Sequence, residues 1–470
     1  MTRPNASRRQ FLRNAALTSI VGPAGAPFAL NLATISAASA QTAPEDYRAL
    51  VCIFMFGGND QGNTVLATDP TSWAAYTAAR STAPSPIVLP AVGAAGAVLP
   101  IVPNTLQAGR EFALHPSLTE IKTLFDAGRG AVIANVGPLI APTTKVQYQA
   151  RTVPMPANLF SHNDQQSTWQ AFKAEGARVG WGGRMGDLFA STNAFATFTC
   201  ISASGNAVWL SGQSTLQYQV GSNGGVSIGG MTGGLFGSTA AANPLRAILT
   251  GDRANVFEKE HAKITERAIT AQTTLNTSML PTATLNAIQP LPANNSLATQ
   301  LQTVARIIGG RTALGAKRQV FFVSIGGFDT HDNQLPGHAN LMARLGEAMA
   351  YFDRLMASPA INAADKVTQF TASDFGRTLT SNGDGTDHGW GGHHFVVGAA
   401  VKGKDVYGRF PEIGVNTADD VGQGRLLPVT SVDQYGGTLA RWFGLTDGQI
   451  ADIFPNLKNF GSAANLGFML

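Results

Sequence analysis

Residues 49–56, Ala-Leu-Val-Cys-Ile-Phe-Met-Phe, form an unbroken apolar run that stops at Gly57-Gly58. A strand with one wet face alternates apolar and polar side chains. A continuous run bounded by glycine predicts a strand covered on both faces. Shorter or more mixed runs at 131–136, 320–325, 367–372 and 395–401 read as further strands. Helical patterns lie between them. Residues 116–127 carry proline in the first turn and stop at Gly128, as a helix does. Leu341, Leu345, Met349, Phe352 and Met356 recur at helical spacing, and 244–270 and 296–312 also read as helices. Buried strands alternating with helices predict a three-layer α/β fold, with a mostly parallel central sheet flanked by helices.

One region breaks the pattern. Residues 197–239 are rich in Gly, Ser, Thr and Asn, with short alternating pieces at 208–210 and 216–220. They predict a β insert, either a hairpin or a cap. Residues 81–104 read as a loop, and 276–295 as a surface crossing between two helices. There is no internal repeat and no block of charge, so residues 41–470 are expected to form a single domain.

Composition narrows the function classes. Apolar residues make up 44% of the 470-residue chain, enough for a sizeable core, and charged residues only 13%. That balance excludes disorder driven by charge. Two cysteines, Cys52 and Cys200, exclude a disulfide scaffold and a cysteine-rich zinc module. The formal charge of +4 resides in Arg3, Arg8, Arg9 and Arg13; without residues 1–40 the basic and acidic residues balance at 29 each. A neutral domain offers no electrostatic basis for binding nucleic acid or an anionic membrane.

Those first forty residues read as an address. Ser7-Arg8-Arg9-Gln10-Phe11-Leu12-Arg13 precedes a weakly apolar stretch, and Ala38-Ser39-Ala40 supplies small residues for cleavage. The order is that of a secretory signal, and the paired arginines followed by Phe-Leu resemble the twin-arginine export motif. The expectation is a periplasmic or extracellular protein that meets the twin-arginine export machinery and has no stable membrane insertion. That route exports folded proteins, so a metal acquired in the cytoplasm can travel with the chain.

Open parallel sheets place their sites at the carboxyl ends of the strands. Four polar clusters fall there: Gly57-Gly58-Asn59-Asp60, the segment from Gly326 to Asp329-Thr330-His331, Ser373-Asp374-Phe375-Gly376-Arg377, and the segment from Thr386-Asp387-His388 to His393-His394. Converging carboxylates repel one another unless a cation lies between them. Oxygen and imidazole donors together suit a divalent ion. Each residue also has a plainer reading: Asp60 capping a turn, Asp374 paired with Arg377, His393 and His394 beginning a strand or helix.

Phe56-Gly57-Gly58-Asn59-Asp60, Gly326-Gly327-Phe328-Asp329-Thr330-His331-Asp332-Asn333-Gln334, Ser373-Asp374-Phe375-Gly376-Arg377-Thr378 and Gly385-Thr386-Asp387-His388-Gly389 resemble the domain-of-unknown-function-1501 family. Gly180-Trp181-Gly182-Gly183-Arg184 and Ser161-His162 before Trp169 add to the resemblance, which runs in order over nearly all of residues 41–470. It implies an alkaline phosphatase-like fold of the phosphatase and sulfatase superfamily, a twin-arginine signal, and no settled activity. It also implies a ligand set: Asp60 after the first strand, Asp329 and His331 in the middle, Asp374 late, Asp387-His388 supplying nitrogen, and His393 last. The chain departs from the superfamily pattern in two places. Asp329 and His331 are closer than the usual Asp-x-x-x-His spacing, and Phe375 stands where a histidine usually follows the late Asp.

The superfamily nucleophile is a hydroxyl at a helix start. Ser161 is placed for that role, where backbone N–H groups favour an anion. Ser161-x-x-Asp164 is equally a helix cap, and Thr64 is a second candidate. Arg377 and Arg184 are candidates to clamp anionic oxygens. Trp181 and Trp390 either line a cleft or anchor the core. The first expectation is an exported metal-dependent hydrolase of small phosphate or sulfate esters using zinc, manganese or calcium. The second is a non-catalytic secreted binding or assembly protein on the same fold, with an unknown secreted protein as partner.

Overall fold

The structure is a computed structural model that describes residues 46–470 except 83, 232–237, 239 and 241. The expected signal at 1–40 lies outside the described residues. Strands are numbered along the chain: β1 Arg48–Met55, β2 Val65–Ala67, β3 Leu99–Ile101, β4 Phe112–Leu114, β5 Gly130–Gly137, β6 Cys200–Ser202, β7 Tyr218–Gly221, β8 Gly224–Gly225, β9 Arg318–Ile325, β10 Val367–Ser373, β11 Gly392–Val397, β12 Val406–Tyr407 and β13 Thr430–Ser431.

β1 is the long apolar run, and it lies at the middle of a ten-stranded sheet ordered β12-β5-β11-β10-β1-β9-β6-β7-β8, with β13 beside β5. Its neighbours β9 and β10 both run parallel to it, with Cys52 opposite Phe322 and Phe370. Alternate residues of β1 enter different cores, as a two-residue side-chain period requires. Ala49, Val51, Ile53 and Met55 pack with the helices Ser296–Gly309 and Gln334–Ala357. Leu50, Cys52 and Phe54 pack with the helices Trp181–Phe189 and Val432–Phe443 on the other side. The sheet is mostly parallel, with helices on both faces. β11 is the exception among the long strands, running antiparallel to both β10 and β5.

Three stretches differ from the expectation. The expected loop at 81–104 holds β3, and the expected crossing at 276–295 holds a short helix, Thr282–Ile288. The pattern at 244–270 predicts one helix, but the chain forms Ala242–Thr250 and Val256–Ser278. Gly251 follows the first, and Asn255 caps the second by accepting from the N–H groups of Phe257 and Glu258. A glycine and a strong N-cap residue within five positions end one helix and start another. Of the two forms expected for the Gly/Ser/Thr-rich stretch, the hairpin is present where the chain is described: β7 and β8 pair antiparallel. β6 pairs parallel with β9 and β7 with β6, so the stretch lengthens the central sheet.

A second, small sheet of β2, β4 and β3 is tied to the large one through Asp60 and Arg80. Arg80 ends the helix Pro70–Arg80 and is fully buried, as is Asp60. The guanidinium forks the carboxylate at 2.6 and 2.7 Å, and Gln334 Nε2 donates to the same carboxylate at 2.6 Å. Arg80 also donates to the carbonyls of Leu379 and Thr378. Burial alone would raise the Asp60 pKa, but the charge and hydrogen bonds of Arg80 outweigh it and hold the carboxyl below its ordinary range. Removing one partner of such a pair strands a buried charge.

Two stability predictions follow from these contacts. Arg80→Met should lower the unfolding free energy by about 3–5 kcal/mol in a denaturant titration; a loss under 1 kcal/mol would contradict the assignment. Asp433, in the first turn of the helix Val432–Phe443, is pushed up to about 7 by burial, against the opposing N–H donors of Asn456. An unfolded Asp ionises near 3.8. The contribution of Asp433 to stability therefore declines between those two values as the pH rises, by roughly 4 kcal/mol in all, and levels off above the upper one. Asp433→Asn does not ionise, so its stability relative to wild type should rise from pH 4 to pH 7 and then hold constant.

Candidate metal centre

β1, β9 and β10 end side by side, and their following loops fold onto one another. Gly57 and Gly58 adopt φ of 114° and 83°. A Cβ on Gly57 would lie 2.3 Å from the backbone nitrogen of Asp329, so glycine is what lets the β9 loop close here. Asp329 follows β9, Asp374 follows β10 directly, and His388 comes from the loop joining β10 to β11. His162 is the first residue of the helix His162–Ala171.

These side chains converge. The ligating atoms of His162, Asp329 and His388 lie within 4.8 Å of one another. His331 joins them, with Nε2 2.9 Å from His388 Nε2 and 3.1 Å from Asp329 Oδ1. The ring nitrogens facing away are all met by oxygen. His162 Nδ1 donates to Asp374 Oδ2 at 2.7 Å, and His388 Nδ1 to the Phe160 carbonyl at 2.8 Å. His331 Nδ1 lies 3.3 Å from Asp387 Oδ1. An acceptor on Nδ1 keeps the proton there and leaves the Nε2 lone pair free, which is how metal-binding histidines are usually oriented. His162 Nε2 is buried without a hydrogen-bond partner, 3.4 Å from Asp329 Oδ2. An unshared nitrogen lone pair facing a carboxylate fits a cation between them.

Arg377 fixes the carboxylate. It is fully buried and donates from Nη1 to Asp329 Oδ1 and to the Gly57 carbonyl, both at 2.9 Å. Its Nε donates to the carbonyl and hydroxyl of Thr386. Asp374 is fully buried, and its Oδ2 also accepts from Gln166 Nε2 at 2.6 Å and from Gly57 N–H at 3.1 Å. The cluster nevertheless opens to solvent, since the side chains of Asp329 and His331 are each 43% exposed. Partial burial would raise the Asp329 pKa, but Arg377, His162 and His331 hold it below the usual range. The hydrogen bond to Asp374 raises the His162 pKa despite desolvation. Desolvation lowers that of His388, helped by the charges of His162 and Arg377.

The structure thus brings together Asp329, His331 and His388, with Asp374 and Asp387 behind the rings of His162 and His331 rather than among the converging atoms. Asp60 is elsewhere, its carboxylate taken by Arg80, Gln334 and Gly62 N–H. His393 is also elsewhere. It lies buried in β11, accepts from Asn135 N–H at 3.1 Å and stacks on Phe410. Burial pushes its pKa down to about 3, so it is a neutral core side chain.

Ser161 is the N-cap residue of its helix by position, without a side-chain capping bond. Its hydroxyl is directed to Asp164, whose pKa it helps to lower after Glu175 N–H and Asn158. Thr64 is fully buried and donates to the Asp60 carbonyl. Arg377 pairs with Asp329 rather than with Asp374, and its donors are spent within the fold. Arg184 donates to the carbonyls of Asp452 and Ile453. Trp181 and Trp390 are core anchors, each 1% exposed or less.

The side chain of the cluster that sequence reasoning did not select is His162. It stands beside Ser161, and its only signals are its place at a helix start and Gln166 one turn on. Phe160 is held at φ 72°, unusual for an aromatic residue, and its carbonyl is the acceptor for His388. No curated protein matches the chain. The sequence model described as a protein of unknown function (DUF1501) matches residues 47–454, a span holding every residue of the cluster and its supports, and the chain belongs to that family.

Proposed function

We propose that this protein is an exported, metal-dependent hydrolase of phosphate or sulfate esters, with an alkaline phosphatase-like layout and one divalent ion at His162, Asp329 and His388. His331 completes the set on its open side. The observation that carries this reading is the buried, unpartnered His162 Nε2 facing Asp329, with Nδ1 held by Asp374. Imidazole donors favour zinc over manganese and calcium, which prefer oxygen. An ion so placed would polarise an ester oxygen and make a water nucleophilic near neutral pH.

The chain's own residues do the rest. Asp329 supplies the negative charge, and Arg377 holds it in place. Asp374, the Phe160 carbonyl and Asp387 keep the three rings turned with Nε2 inward. The exposed side of Asp329 and His331 leaves a face for substrate. Ser161, turned toward Asp164, is not the nucleophile in this reading; water is. A second reading, a non-catalytic metal-holding protein, is favoured by the engagement of Arg377 within the fold, which leaves it unable to clamp a substrate.

The test is elemental analysis of protein purified without chelator, alongside turnover of aryl phosphates, phosphodiesters and sulfates. Wild type should carry close to one ion per chain and hydrolyse at least one ester class. Asp329→Ala should lose both ion and turnover, while Ser161→Ala keeps both. Full ion content in Asp329→Ala would remove the site. An ion-loaded wild type inert toward every ester would establish the second reading instead.

A further inference from the structure

Far along the sheet from the cluster, the helices Ala242–Thr250 and Val256–Ser278 form an arm. The longer helix rests on β8 through Gly225 N–H and Asn276 Oδ1 at 2.8 Å, and it buries Ala262, Ile269 and Leu275. Its first turns stand clear, and residues 252–261 are all exposed. The shorter helix buries none of its residues, and among the described elements it packs chiefly against the longer one. A nine-residue helix is not stable in water without tertiary cover. The arm nevertheless exposes Ile248, Val256, Phe257 and Ile264, with Phe257 at 86%, and Leu216 and Val226 are exposed near the β8 edge beside it.

The charges around these residues say what kind of surface covers them. Glu258, Lys259, Glu260, Lys263, Glu266 and Arg267 bring both signs in equal number along the same helix. Such a surface repels part of any polyanion or anionic bilayer, but it complements itself. In an isologous contact residue i meets j and j meets i. With a two-fold axis between Lys263 and Ile264, Glu260 meets Arg267 of the second copy at both ends of the contact. Glu260 and Arg267 already pair within one helix at 3.0 Å, so they lie on one face and can share partners.

We propose that the arm is a homodimer interface, in which two helical hairpins close into an antiparallel four-helix bundle around Ile248, Val256, Phe257 and Ile264. Four helices cover apolar stripes that two leave wet. The contact involves none of His162, Asp329, His331 and His388.

Sedimentation of the full exported chain at tens of micromolar should give twice the monomer mass. Ile248→Glu with Phe257→Glu should weaken the dimer by at least about 100-fold, as loss of central apolar contacts does. Both positions are exposed, so a cooperative thermal transition matching that of wild type diluted to monomer would show the fold intact. Glu260→Arg should also weaken the dimer, and Glu260→Arg with Arg267→Glu should restore it. A wild type that stays monomeric, a dimer indifferent to the Ile248 and Phe257 changes, or a monomer that instead binds phosphatidylglycerol vesicles through the arm would each overturn the proposal.

Discussion

The fully buried Arg377 guanidinium cannot be left without a counter-charge, and the way its donors are met organises the whole strand-end region. One Nη reaches the Gly57 carbonyl at the end of β1 and the Asp329 carboxylate after β9. Nε reaches Thr386, next to Asp387-His388. Arg377 itself follows β10, so a single side chain joins three parallel strands and the loop that delivers His388. Such hydrogen-bonded charge is costly to break, because either partner alone would be stranded in a low-dielectric site. The geometry of Asp329 therefore rests on packing that is settled before any ligand arrives.

The rest of the cluster is built outward from that carboxylate. Three imidazoles turn Nε2 toward it, and each is held from behind by an oxygen that belongs to a different part of the chain. The support for His162 is a buried carboxylate, that for His388 a backbone carbonyl at a strained residue, and that for His331 the partly exposed Asp387. The graded burial leaves one side of the site rigid and the other open. A centre of this form suits exchange of a ligand from solvent better than a closed structural site does.

Much of the fold was legible in the sequence. The run at 49–56 declares a doubly buried strand because no polar residue interrupts it, and β9 and β10 read as strands from shorter, more mixed apolar runs. The direction of β11 was not legible, since an apolar run reads alike in either orientation. The break between 250 and 256 depends on Gly251 and Asn255, which the longer periodicity obscured. At the strand ends, position alone selected Asp329, His331 and His388, which the fold does bring together. It did not distinguish them from Asp60, because the partner that consumes Asp60 is Arg80, on a helix that only packing brings near. It did not separate ring-facing carboxylates from those behind the rings, because Asp374 and Asp387 differ from Asp329 only in which ring nitrogen they meet. His162 was overshadowed by its neighbour Ser161, whose spacing to Asp164 looks like a cap.

The central claim is that one cation sits among these imidazoles. X-ray absorption at the edge of the metal found in the purified protein tests it most directly. The account predicts a single ion with two or three imidazole nitrogens at about 2.0–2.1 Å and a carboxylate oxygen, and loss of that signal in His162→Ala. A folded protein that takes up no zinc or manganese, or an ion coordinated without imidazole, would contradict it.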